Sequence, residues 1–374
     1  MEPVYSYPRI VFGAGTAESL PGLLPAAAGR ILLVMGRSAE SNGLRDRFSA
    51  LLADRVVVES IGAVPAEPPL DCVEELVSLG RSENVDAVVA VGGGSVIDAA
   101  KTAAAVVPLE GRAGDYFGVA GKDAVPLPGK GLFFAALPTT AGTGAEVTRN
   151  AVLTDTATGI KKSIRSHLMV PDLAIVDPEL TLSLPPDITA NSAFDALTQA
   201  IESFTCPAAT AATRALAETA VVKIMGNVEA AWRDGKDTRA RTELAEGSLL
   251  SAMSFSQSGL GAVHGLAHPI GAAMKLPHGL VCAVLLPYIL ELNAEAAEKD
   301  YSRLARALGL DSVDAFVSEI RALEGRLGVP DGFKGLEREL YPFILANCRG
   351  RSMKGNPRHI DDAEIEGLLD RVNV

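Results

Sequence analysis

The sequence predicts an α/β dinucleotide-binding domain with a Rossmann-like parallel sheet, followed by an all-α domain, and two observations carry that prediction. From residue 30 to about 180, short β-branched runs alternate with longer amphipathic segments, the pattern of parallel strands joined by crossover helices. After Pro185 those runs give way to long Ala/Leu/Glu-rich segments with helical spacing.

Taken in order, ILLVM (31–35) and RVVVES (55–60) read as strands and Leu70 to Gly80 as an amphipathic helix. DAVVAV (86–91), LFFAALP (132–138) and DLAIVD (172–177) read as further strands. PELTLSLPPD (178–187), with three prolines and a small polar run, marks the join, so the expected domains are 1–180 and 181–374. Helices are expected over 188–204, 208–232, 239–255 and 296–308. No internal repeat or low-complexity tract is visible.

Composition narrows the function. The 374 residues carry 46 acidic against 34 basic side chains, a net charge of −12, and are 48% hydrophobic. That describes a globular protein of two or three domains and argues against nucleic acid or an anionic membrane as partner, since both require a basic face. The four cysteines (Cys72, Cys206, Cys282, Cys348) are far apart, and MEPVYSYPRI lacks the start of a signal peptide, so a reducing cytoplasm is expected. VCAVLLPYIL (281–290) is broken by Pro287 and is shorter than the roughly 20 apolar residues a membrane span needs, so no anchor is expected.

The strongest local motif is VGGGSVIDAAK. Gly92, Gly93, Gly94 and Ser95 follow a strand and precede an Ala-rich helix, where exposed amides and the helix dipole suit a phosphate. One turn in, Asp98 is placed to reach a ribose or carboxamide, while Lys101 has no reading beyond solvated surface. Gly13-Ala14-Gly15 lacks a third spaced glycine and reads as a turn. LPTTAGTGAEVT (137–148) puts Thr139 and Thr140 at the carboxyl end of a strand, where they form either a second wall of the nucleotide site or a structural turn. In the helical half, Asp195 and Gln199 are four residues apart and share a helix face. His264, His268 and His278, three of the five histidines, fall within fifteen residues of an apolar, glycine-rich stretch, pointing to a metal or acid–base site. His167 and His359 have no such company and read as surface or structural.

GGGSVIDAAK (92–101), PTTAGTGAEVT (138–148), KKSIRSHLMVPDLAIVDPEL (161–180), FDALTQAIES (194–203), HGLAHPIGAAMKLPHG (264–279) and NPR (356–358) together resemble the iron-containing alcohol dehydrogenase family over nearly the whole chain. That wider group includes glycerol dehydrogenase, maleylacetate reductase and dehydroquinate synthase. The resemblance implies an active site in the cleft between the two domains, a pyrophosphate loop at Gly92 through Ser95, and a nicotinamide side at Asp98, Thr139, Thr140 and Lys161. It also implies metal ligands at Asp195, His264 and His278, with a fourth imidazole expected where this chain has Gln199, and a proton-transfer role for His268.

Gln199 is the main departure, because an amide oxygen is a weaker donor than imidazole. Three ligands still suffice for Fe2+ or Zn2+, so a divalent metal is expected, held more weakly than by four strong ligands; a metal-free reductase of the maleylacetate reductase type is the alternative. Many NAD-using members carry Asp where Gly36 stands, and Arg37 follows it, so NADP(H) is favoured over NAD(H).

The expected function is hydride transfer between a nicotinamide and a small alcohol or aldehyde, in a homo-oligomer (dimer or larger). Phe255, Met274 and Leu276 suit such a substrate or serve as core. A dehydroquinate-synthase-like carbocycle synthase is disfavoured because no Lys/Arg cluster adjoins the histidines, and a nucleotide sensor is supported by Gln199 alone.

Overall fold

The computed structural model describes residues 6–117, 124–155 and 161–374, leaving out the side chains of residues 161 and 162. These residues divide into two compact units, 1–140 with 144–183, and 141–143 with 184–374.

The first unit is built on six parallel strands in the order β1-β8-β5-β4-β2-β3. They are β1 (Arg9–Phe12), β2 (Arg30–Met35), β3 (Val56–Ile61), β4 (Ala87–Gly92), β5 (Phe133–Pro138) and β8 (Leu173–Val176); β6 (Asn150–Thr154) and β7 (Lys161–Arg165) form a separate antiparallel hairpin. The helices of this unit are α1 (Leu20–Leu23), α2 (Leu44–Leu51), α3 (Leu70–Ser82), α4 (Gly94–Val106) and α5 (Ala113–Phe117).

Continuous apolar runs such as ILLVM form central strands because both sheet faces are covered. Alternate residues of β2 and β4 divide accordingly: Leu32, Val34, Val88 and Ala90 join the core that contains α3 and α4, and Ile31, Leu33, Met35, Val89 and Val91 join the core that contains α1 and α2. The chain crosses over β2 between β3 and β4, so the strand order reverses there and the crevice beyond the carboxyl ends of β2 and β4 is the natural ligand position. After β1 the Gly13–Gly15 turn is held by Asp177, whose carboxylate accepts the Gly15 and Ala17 amides at 3.0 Å each.

The second unit is helical: α6 (Pro186–Thr205), α7 (Ala211–Arg233), α8 (Thr238–Ser258), α9 (Ala262–Met274), α10 (His278–Asn293), α11 (Glu298–Ala307), α12 (Val313–Arg326), α13 (Tyr341–Cys348), α14 (Arg351–Lys354) and α15 (Asp362–Val372). Pro186 at the first position of α6 supplies a pre-set φ and loses no hydrogen bond there. From Ala193 to Thr205 every residue of α6 is buried, which makes it the central helix of the unit and puts its polar side chains in the interior. Both α9 and α10 continue through an internal proline, Pro269 and Pro287. Among the described residues no helix is long and apolar enough to cross a membrane.

Candidate active site: a glycine cradle and a buried donor cluster

In the sheet unit the carboxyl ends of β2, β4 and β5 lie side by side. Gly93 is the N-cap of α4 in extended conformation and brings no side chain to the first-turn amides, which leaves them for an anion at the positive end of the helix. Thr139 donates its amide to Gly92 O at 3.0 Å, and Thr140 Cγ2 stands 3.5 Å from where a Gly93 Cβ would be, so the threonines flank the cradle. The Ser95 hydroxyl accepts the Glu67 amide at 3.3 Å. Gly36 ends β2 in extended conformation, and Arg37 after it is exposed. Lys161 opens β7, and its side chain lies outside the described residues.

Lys101 corrects its sequence reading, because it is 1% exposed and buried beneath this loop rather than solvated. Its Nζ donates to Thr148 O at 2.9 Å, Asn150 O at 2.8 Å and Thr148 Oγ1 at 3.3 Å. The reason is its helix: the residues around it in α4 are mostly buried alanines, so no face of that stretch is left to water. Asp98 accepts the Val152 amide at 2.9 Å and lies 3.9 Å from Lys101, with 13% of its side chain exposed. Burial pushes Asp98 up to about 6 against the pull of Lys101 and the Val152 amide. Burial likewise pushes Glu146, a residue to which the sequence reading gave no role, up to about 7, and pushes Lys101 down to about 8.

In the helical unit, α6, α9 and α10 bring distant residues together. His264 Nε2 is 3.2 Å from Asp195 Oδ1, and His278 Nε2 is 3.8 Å from the same oxygen. Ligand atoms of Asp195, His264, His278 and Cys282 all lie within 4.8 Å of one another.

Glu202, two turns after Asp195 on α6, was not singled out in the sequence. Its Oε2 lies 2.6 Å from His264 Nδ1, and its Oε1 accepts the amides of Val263 at 2.7 Å and His264 at 3.4 Å. One carboxylate thus fixes the imidazole ring and caps the start of α9. The signal available was the seven-residue spacing from Asp195 together with Gly261, where an added Cβ would come within 2.9 Å of Glu202 Oε1. Gly279 serves α10 in the same way, since a Cβ there would stand 2.2 Å from Asn191 O and push His278 out of place.

The electrostatics of this cluster require positive charge. Burial disfavours a charged His264, yet Glu202 and Asp195 overcome it and push the imidazole up to about 10. Burial also works against ionised Asp195, but hydrogen bonds from His264 and the Gln199 amide, with the two imidazoles, hold its carboxyl below the usual range. Gln199 Oε1 is buried without a hydrogen-bond partner among the described residues. One buried carboxylate, two imidazoles and an orphaned amide oxygen, with Glu202 behind His264, are a donor set that fits a divalent cation.

His268, one turn beyond His264, stacks on His278 with ring centroids 4.9 Å apart and an angle of 16°. His167 and His359 are exposed and outside both groups. Met274 and Leu276 pack against the helical core, while Phe255 is half-buried.

Comparison with known proteins agrees with this architecture. Residues 8–178 match the family model for iron-containing alcohol dehydrogenase and residues 189–372 match the C-terminal model of the same family. Long-chain-alcohol dehydrogenase 1 of Geobacillus thermodenitrificans is 36% identical over 85% of this chain and 81% of its own length. The NADPH-dependent butanol dehydrogenase of Clostridium saccharobutylicum is 30% identical over 98% of this chain and 97% of its own. The crystal structure of sulfoacetaldehyde reductase from Bifidobacterium kashiwanohense in complex with NAD+ matches with a TM-score of 0.92 at 30% identity, covering 100% of this chain and 99% of that one. The chain belongs to the iron-containing alcohol dehydrogenase family. It is an oxidoreductase that acts on CH–OH groups with a pyridine nucleotide, and the family implies a divalent metal.

Proposed function

We propose that the protein is a metal-assisted dehydrogenase that interconverts small alcohols and aldehydes and favours NADP(H) over NAD(H). The observation that carries the metal is the convergence of Asp195, His264 and His278, with Glu202 behind His264. In this reading residues 1–180 bind the nucleotide and 181–374 hold metal and substrate. Gly92 to Ser95 take the pyrophosphate, and Asp98, Thr139, Thr140 and Lys161 serve the nicotinamide side. Gly36 and Arg37 support NADP(H): no acidic side chain stands at the end of β2 to meet a ribose 2′-hydroxyl, and an exposed guanidinium follows.

When bound, the cation supplies Lewis acidity that lowers the cost of negative charge on the substrate oxygen, and the nicotinamide supplies or takes the hydride. The side chains do the rest. Asp195, His264 and His278 hold the cation, and Gln199 offers an amide oxygen as a weak further contact. Glu202 keeps the His264 Nδ1 proton in place, which would leave the Nε2 lone pair to the cation. His268, stacked beside His278, gives the proton to the substrate oxygen in reduction and takes it in oxidation. The sequence and its family support a homo-oligomer in the cytoplasm, in keeping with four cysteines of which none forms a disulfide.

The test is elemental analysis of protein purified without chelator, paired with NADPH oxidation on a panel of small aldehydes before and after EDTA. Bound iron or zinc and chelator-sensitive turnover are expected. Full turnover without metal would transfer the protein to the metal-independent type, with the histidines hydrogen-bonding the substrate directly.

A further inference from the structure

We propose that the fourth protein ligand of the metal is the Cys282 thiolate rather than the Gln199 amide oxygen, giving a mixed oxygen, nitrogen and sulfur site suited to a borderline-soft cation such as zinc. The inference rests on the reading that this cluster holds a metal and adds the identity of one donor.

Cys282 follows His278 by four residues on α10, so both side chains leave the same face of one helix. Cys282 is fully buried, and its Sγ lies 3.6 Å from His278 Nε2. Bonds of about 2.3 Å to sulfur and about 2.0 Å to nitrogen at a tetrahedral angle place those two atoms about 3.5 Å apart. Similar bonds to nitrogen and a carboxylate oxygen set a separation of about 3.4 Å, and the distances from Asp195 Oδ1 to His264 Nε2 and His278 Nε2 are 3.2 Å and 3.8 Å. These three separations are close to those of donors sharing one cation. All four ligand atoms fall within 4.8 Å of one another, a spacing that the rest of the fold maintains by bringing α6, α9 and α10 together.

Chemistry favours the sulfur. A thiolate is an anionic, polarisable donor that selects zinc over harder ions, whereas an amide oxygen is neutral and weak. Gln199 already has a task, donating its amide to Asp195 and thereby orienting a ligand. A chain that lacks the fourth imidazole on α6 thus has a fourth strong donor from α10.

The deciding experiment uses the full-length protein, stripped with chelator and titrated with Co(II) alone, with absorption read from the near ultraviolet into the visible. Wild type is expected to bind cobalt with a thiolate-to-cobalt charge-transfer band in the near ultraviolet. Cys282→Ser is expected to bind cobalt with complete loss of that band. Cobalt bound by wild type without the band overturns the thiolate ligand and leaves the metal reading standing. A wild type that binds no cobalt overturns both. A band that persists in Cys282→Ser assigns the sulfur to another cysteine and also overturns the proposal. If the serine variant does not fold, Cys282→Ala takes its place with the same two outcomes, loss of the band supporting the proposal and its persistence overturning it.

Discussion

The sheet unit buries Lys101 beside Asp98 and Glu146, whereas the helical unit buries Asp195 and Glu202 among imidazoles and an amide. Both groups have to balance two carboxyls out of water, where an unpaired charge is costly. In the first, the chain supplies its own cation, and that cation ties α4 to the carbonyls of Thr148 and Asn150. In the second, the positive charge is a proton on His264 unless a metal takes its place. A built-in cation serves the fold, and an exchangeable one serves chemistry. The consequence is that charge removal should cost stability in the sheet unit and activity in the helical unit.

The largest expected effect tests the helical side. Asp195→Asn preserves shape and removes the carboxylate that faces both imidazoles. We expect kcat/KM to fall by about a thousandfold, roughly 4 kcal/mol of transition-state stabilisation, together with loss of bound metal in elemental analysis. A variant with full metal content and near-normal rate would break the comparison.

Lys101→Met tests the other side. Two carbonyls lose their donor and two carboxyls lose their counter-charge, so urea unfolding should report a loss of about 3 kcal/mol. Adding Glu146→Gln should recover part of that loss, since a neutral amide no longer needs a buried cation. Stability unchanged in Lys101→Met would mean that the buried ammonium is not what holds the loop.

A finer cut separates holding a metal from orienting the ligand that holds it. Glu202→Gln keeps a hydrogen-bond acceptor for His264 but removes the charge behind the ring. Metal affinity, read by competition with a chromophoric chelator, should weaken about 10- to 100-fold, the range for a carboxylate that supports a metal-bound histidine.

These residues also show what a sequence can disclose. DAVVAV, expected over 86–91, becomes Ala87–Gly92, and the helix expected over 188–204 becomes Pro186–Thr205, because burial on both strand faces or around a whole helix writes a local pattern. The β6–β7 hairpin was not read, its strands being only five residues long each. GGGS is legible because a backbone cradle is contiguous in sequence. Asp195 and the histidines stood out by rarity and clustering, yet Glu202 and Cys282 did not, although each occupies the right spacing, seven residues from Asp195 and four from His278. An acidic or thiol side chain within a helix carries no signal by itself, and only the assembly of three helices distinguishes these two. Lys101 shows the opposite: a lysine in a helix is usually solvated, and in sequence the alanine-rich surroundings that bury it are indistinguishable from simple helix propensity.

The smallest expected effect comes from a third case within the helical unit, a buried carboxyl answered by neither solution. Glu324 on α12 has Oε1 buried with no hydrogen-bond partner among the described residues. Burial pushes its carboxyl up to about 8, Arg321 opposing and Asp331 adding to the rise. Instead of acquiring a cation it keeps a proton. Between the unfolded value of 4.5 and about 8 the native chain therefore binds a proton that the unfolded chain has released. The stability contributed by this group is complete below the unfolded value and is lost as pH climbs through the folded one. Glu324→Gln removes the titration, so the variant should match wild type near pH 5 and exceed it by a margin that grows as pH rises toward 8. Parallel urea unfolding curves with the same offset at both pH values would show that Glu324 stays ionised, and that a buried carboxyl in this unit can be held without either a cation or a proton.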